Sequence, residues 1–252
     1  MSSSVEVLDP TFYPVEDDMG EHELQTYILE LLRPLLERFL ESKGMVAHVG
    51  SDQFFYWRQF APTDCLAPDL YVLPGVPQDI AIASWKVWER GGVVPSFALE
   101  VVTGDWKKDY THNLSKYEQL GVEELLVVDP FVEDGPARTR WQRFRRMSDG
   151  VLVQEEMTDE ASIYSPQLEV WFRMMGQGAA RRVRLATGRQ GDTLFPDPEE
   201  ARAQAEAAQQ RAEAAQQRAE AAQQQAEARC RELERQLRAF QDADAHRPPE
   251  EG

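Results

Sequence analysis

Residues 95–130 read "PSFALEVVTGDWKKDYTHNLSKYEQLGVEELLVVDP", and the order of patterns within them decides the fold. The first part is apolar except for Glu100, which is the composition of a strand buried on both faces. Residues 109–120 then have helical character, and Gly121 is a suitable stop for that helix. "ELLVVDP" supplies a second buried strand. Strand, helix, strand in that order predicts a right-handed crossover within a sheet covered on both faces.

Upstream, Leu24, Ile28, Leu31, Leu35 and Phe39 recur every three or four residues, one apolar stripe of a helix over 21–43 that Pro34 is expected to kink. "MVAHV" and "QFFYW" read as short strands. In "PDLYVLPGV", Asp69 opens an apolar strand that Pro74 and Gly75 end. "SWKVWERG" reads as a short helix, and "RTRWQRFRR" with "GVLVQEEM" as an antiparallel hairpin. The Gly- and Arg-rich stretch to about residue 195 gives no clear pattern.

From Pro198 the motif "AEAAQQR" repeats every seven residues, so Ala205, Ala212, Ala219 and Ala226 share one heptad position. Near Cys230 the stripe continues through Leu233, Leu237 and Phe240 only by an extra four-residue step. The expected organisation is a flexible arm (1–20), one α/β domain (21–197), a helical tail able to form a coiled coil (198–241) and a disordered end (242–252). An isolated Ala-rich helix explains the tail as well, because Ala, Glu, Gln and Arg all favour helix.

The formal charge is -17, most of it before residue 200, which disfavours nonspecific attachment to nucleic acid or anionic membrane. Cys65 and Cys230 lie too far apart in context to suggest a disulfide framework or thiolate metal site. The N-terminus has no secretory pattern and no stretch reaches the roughly 20 apolar residues of a membrane span. A cytoplasmic protein is expected.

Glu100 needs a partner, because an ionised carboxylate inside a sheet costs several kcal/mol unless a cation or donors replace its hydration. Asp69 opens another apolar strand. Brought to neighbouring strand ends, the two acids would repel unless a divalent cation sat between them. Alternatively, Asp69 caps a turn and Glu100 pairs with an Arg or with backbone amides.

"LAPDLYVLPGVP", "FALEVVT", Asp109 with Tyr117 and Gly121-Val122, and "ELLVVDP" follow one another in an order that resembles the Uma-type restriction endonuclease domains of the PD-(D/E)xK nuclease superfamily. The resemblance spans about residues 20–195. It implies a mixed central sheet flanked by helices, a Mg²⁺ or Mn²⁺ ion held by Asp69 and Glu100, and an assisting acid on the first helix: Glu21, with Glu23 as the alternative. His22 falls where relatives place a His. Relatives also place a Lys four residues after the acid that is Asp109 here; this chain has Asn113. Lys116, on the same helical face, or Lys107 or Lys108 would have to take over.

The function so implied is metal-dependent hydrolysis of DNA, with the basic runs "RTRWQRFRR" and "RRVRLATGR" as phosphate contacts and Trp141 and Phe144 for stacking. These runs read equally as a solvated strand face and loop. A catalytically inactive nuclease fold, kept as a self-associating or partner-binding module through its tail, is the alternative.

Overall fold

In a computed structural model, which describes residues 23–102, 113–132 and 138–245, the two apolar runs are neighbouring parallel strands, β6 (Phe97–Val101) and β7 (Glu124–Val128). Glu23, Ala179 and the residues after Arg238 are described by backbone only. Between these strands lies α2 (Leu114–Leu120), ended by Gly121 in the left-handed conformation at φ 97°. That geometry suits a residue without a Cβ, and the Gly121 and Val122 amides close the helix on the Tyr117 carbonyl.

β6 and β7 sit at the centre of a six-stranded sheet in the order β1 (Ala47–Gly50), β4 (Leu70–Pro74), β6, β7, β8 (Trp141–Arg146) and β9 (Leu152–Thr158). Every other neighbouring pair in this sheet is antiparallel. β8 and β9 are the expected hairpin, with a bulge at Arg143/Phe144. Mixed sheets flanked by helices, with a long C-terminal helix, are therefore the architecture of this protein.

Alternation of side chains divides the sheet between two cores. Leu70, Val72, Phe97, Leu99, Val101, Leu126 and Val128 face α1 (Glu23–Ser42) and a second sheet of β10 (Ser162–Ser165), β11 (Val170–Met175), β12 (Arg182–Thr187) and β13 (Thr193–Leu194). Tyr71, Leu73, Ala98, Leu125 and Val127 face α2 and a third sheet of β2 (Phe54–Tyr56), β3 (Cys65–Leu66) and β5 (Ser84–Lys86). Helix α1 runs as a single element through Pro34.

Two expectations are corrected here. "SWKVWERG" is not a helix: Ser84–Lys86 pairs in parallel with β2, and only the 3-10 turn Val87–Glu89 follows. Trp85 is buried and donates its indole N–H to the Val93 carbonyl, which fixes the segment as strand. Trp141 and Phe144 are buried, so neither can stack on a base.

The basic runs are tied into the structure. Arg138 pairs with Asp129, and Arg143 with Glu156. Arg146 donates to the Val122 carbonyl, Arg181 to that of Pro130 and Arg184 to that of Phe195.

The chain divides into two compact units, 1–195 and 196–252. In the second, α3 (Pro198–Ala245) begins with a reciprocal capping box: Glu200 N–H donates to Asp197 Oδ1 at 2.8 Å, and Asp197 N–H to Glu200 Oε2 at 2.9 Å. Gln209–Glu213, Gln216–Glu220 and Gln223–Glu227 hydrogen bonds then repeat along it every seven residues. Leu233 and Leu237 are exposed, as are Ala205, Ala212, Ala219 and Ala226.

Candidate metal centre

Asp69 and Glu100 are brought together by strand register. β4 and β6 are antiparallel with Leu70 opposite Leu99, so Asp69, one residue before Leu70, lies one step beyond that pair beside Glu100. Both side chains are buried, at 8% and 7% exposure, which decides that their charge is held by the protein rather than by bulk water.

Asp69 ends the ladder with its side chain. Its Oδ2 accepts the Val101 backbone N–H at 2.6 Å, in place of a strand carbonyl, and its Oδ1 accepts the side-chain amide of Gln25 at 2.7 Å. Meanwhile Pro68, which has no N–H to give, offers its carbonyl to Asp52. The "PD" dipeptide thus terminates pairing and fixes a carboxylate at the same point.

Glu100 lies on the opposite side of β6 from Leu99, facing α2, where its Oε1 accepts the hydroxyl of fully buried Tyr117. The two carboxylates are therefore neighbours in register whose described hydrogen bonds run to different sides. Asp69 is gripped from α1 and the β6 backbone, Glu100 from α2. These three donors are neutral, so they orient the carboxylates without bringing charge. Each carboxylate oxygen has two lone pairs, so accepting a described hydrogen bond does not by itself exclude a metal ligand bond. An all-oxygen pair of this kind suits a hard ion such as Mg²⁺ or Mn²⁺. Among the described residues, no group of three or more His, Cys, Asp or Glu could hold a metal ion.

A cavity of about 400 Å³ between α1 and the turn after β1 is walled by Glu30, Arg33, Glu37 and Asp52 among others. Three acids against one Arg make it a poor phosphate receptor.

The Uma2 family, described as "Putative restriction endonuclease", matches residues 4–175. The chain belongs to that family. Among solved structures, this Uma2 chain is similar to "a putative nuclease belonging to DUF820 from Anabaena variabilis", with 12% identity and a TM-score of 0.41 over 60% of this chain and 76% of that one. None of the curated proteins matches it.

The other residues that the Uma2 resemblance singles out are placed as follows. Glu21, His22, Lys107, Lys108 and Asp109 lie outside the described residues, and Glu23 is the first residue of α1. Asn113 precedes α2 by one residue, and its carbonyl accepts the amides of Lys116 and Tyr117. It stands one turn before Tyr117, on the side of the helix that meets Glu100, and its own side chain makes no cap. Lys116 is half-buried on the flank of that side.

Sequence reasoning assigned no role to Gln25 or Tyr117. Gln25 is a polar residue beside the apolar stripe of α1, and Tyr117 carries a hydroxyl on the buried side of a helix. Each is a signal of a buried polar partner.

Proposed function

We propose that this chain is a metal-dependent DNA endonuclease, in which Asp69 and Glu100 hold Mg²⁺ or Mn²⁺ and Glu21, two residues before α1 in the sequence, assists. The observation that carries the proposal is the pair of buried carboxylates placed side by side at the ends of β4 and β6 in a member of the family described as "Putative restriction endonuclease". Bound between them, the ion would acidify a water and offset phosphate charge. The chain's own contribution is to fix both carboxylates before substrate arrives: Asp69 through Gln25 and the Val101 amide, Glu100 through Tyr117. Lys116, on the flank of the α2 side that meets Glu100, is the cation proposed to support the attacking water. His22 is a further candidate near the helix start.

Supercoiled plasmid incubated with the protein and Mn²⁺ tests this proposal. Nicking is expected, and Glu100→Ala and Asp69→Ala are expected to abolish it. Nicking unchanged in both variants would refute the assignment.

Asn113 favours a second reading. Where the family resemblance calls for a Lys, an amide donates hydrogen bonds but brings no charge to a developing hydroxide. The chain would then be an inactive nuclease fold that works by association through α3, whose Ala seam, Leu233 and Leu237 are exposed. In either case we propose a homo-oligomer in the cytoplasm. Among the described residues, no helix is long and apolar enough to cross a membrane. Sedimentation of the full chain against residues 1–197 tests the tail: association should vanish with it, and two monomers would end that proposal.

A further inference from the structure

Tyr117 has more than a packing role. Its ring is wholly buried in the core shared by Leu120, Leu125, Val127 and Phe144, a place that a phenylalanine would fill equally well. What distinguishes tyrosine is the hydroxyl, which would be costly to bury in an apolar wall without an acceptor. That acceptor is Glu100, seventeen residues earlier in the chain and on a different element.

The hydroxyl is also rigidly carried. The Tyr117 amide donates to the Asn113 carbonyl at 3.0 Å, and the Tyr117 carbonyl takes the Gly121 and Val122 amides at 3.1 and 3.2 Å. The next residue is fastened too: the Glu118 carboxylate accepts the Leu152 amide, and the Glu118 carbonyl accepts Arg146. α2 is thereby tied to the β8–β9 hairpin on one side and stopped by its C-terminal turn on the other. A short helix fastened through its C-terminal half, directly beside Tyr117, is the kind of support that holds a side chain to within a fraction of an ångström.

From this we infer that Tyr117 is a positioning residue for the metal centre: it pins one oxygen of Glu100 and so fixes the orientation in which that carboxylate meets the ion. The inference rests on the metal-dependent reading given above. A carboxylate on a three-torsion side chain samples several rotamers unless something holds it, and outer partners of metal ligands typically change affinity by about 10- to 100-fold when removed.

The test is Mn²⁺ binding to the full-length protein, followed by the electron paramagnetic resonance of free Mn²⁺, with no nucleic acid present. Tyr117→Phe keeps the ring and deletes the hydroxyl; it should bind Mn²⁺ about 10-fold or more weakly. Leu120→Ala, one turn away in the same core, should lower the melting temperature while leaving Mn²⁺ affinity within twofold of wild type. Equal affinities for wild type and Tyr117→Phe would overturn the positioning role and leave the metal centre standing. An equal loss in Leu120→Ala would overturn it too, since packing alone would then suffice. So would a Tyr117→Phe protein that does not fold. A wild type that binds no Mn²⁺ removes the metal centre and this role together.

Discussion

Replacing Asp129 by Ala tests how the end of the sheet that carries Glu100 is held. Asp129 is completely buried just past the end of β7, level with the end of β6, where the Val102 amide donates to Val128. Its carboxylate takes three described hydrogen bonds: Arg138 Nε at 2.7 Å, Arg138 Nη2 at 2.8 Å and the Phe131 amide at 2.8 Å. Arg138, with only 11% of its side chain exposed, also lies over the Phe131 ring. Deleting the carboxylate leaves a buried guanidinium without this counter-charge and the Phe131 amide without this acceptor. Removing one partner of a buried ion pair costs about 3–5 kcal/mol, far more than the roughly 0–1 kcal/mol of an exposed pair.

For a unit of this size, 1 kcal/mol corresponds to roughly 2–4 °C in melting temperature, so Asp129→Ala should melt roughly 6–20 °C lower. Urea unfolding followed by tryptophan fluorescence measures the same loss directly. The double variant Asp129→Ala/Arg138→Ala should lose less than the two single losses added together, because the second change removes the charge that the first left stranded. A single-variant loss below about 1 kcal/mol, or strict additivity in the double variant, would show that the pair does not clamp this end of the sheet.

Burial raises the Glu124 carboxyl above its usual value, against the Ser165 and Gln167 hydrogen bonds and Arg143 and Arg145, which lower it. A raised carboxyl favours the folded state while protonated, so this contribution is present at low pH and is lost as pH climbs from the unfolded value through the folded one; thermal melts across that range should show it, and Glu124→Gln should flatten the slope. A Cβ at Gly50 would overlap the Tyr71 hydroxyl, which itself donates to Gln53 at 2.7 Å, so Gly50→Ala should cost about 1–3 kcal/mol in urea unfolding, and no loss would mean that the phenol moves aside freely. If the endonuclease proposal holds, Asn113→Lys should raise the rate of plasmid nicking, since it restores a cation on the side of α2 that meets Glu100; an unchanged or lower rate would show that charge at this position is not what limits the reaction.

How much of this was legible in the sequence depends on whether the deciding partner was local. The β6–α2–β7 unit could be read because each piece announces itself: apolar runs for strands buried on both faces, and Gly121 for the helix end. The Asp129–Arg138 pair could not, because Arg138 comes nine residues later in a stretch with no periodic pattern. β5 differs from the helix its sequence suggests because three residues are too few to show a period; its strand state comes from parallel pairing with β2, thirty residues away. β12 carried a usable signal. In "RRVRLAT", Val183 and Leu185 alternate with Arg182 and Arg184, the pattern of a half-buried strand, which agrees with the strand-face reading of this run rather than the phosphate-contact one.

The same distinction separates what is established about the site from what is proposed. That Asp69 and Glu100 would stand at strand ends could be read from their places in apolar runs. Their being neighbours follows from a register that only the fold supplies. At the third level, the donors that hold them, the sequence signals that Gln25 and Tyr117 need polar partners but not which, because they come from helices packed on opposite sides of the sheet. This arrangement bears on the chemistry. If the proposed ion is shared by both carboxylates, their register would put it at the strand ends, where Asp69 accepts the Val101 amide in place of a strand carbonyl. A Mn²⁺ titration in which Asp69→Ala and Glu100→Ala each abolish binding would place the ion there. Loss in one variant with wild-type heats in the other would mean that the ion is held by a single carboxylate and that the two do not share it.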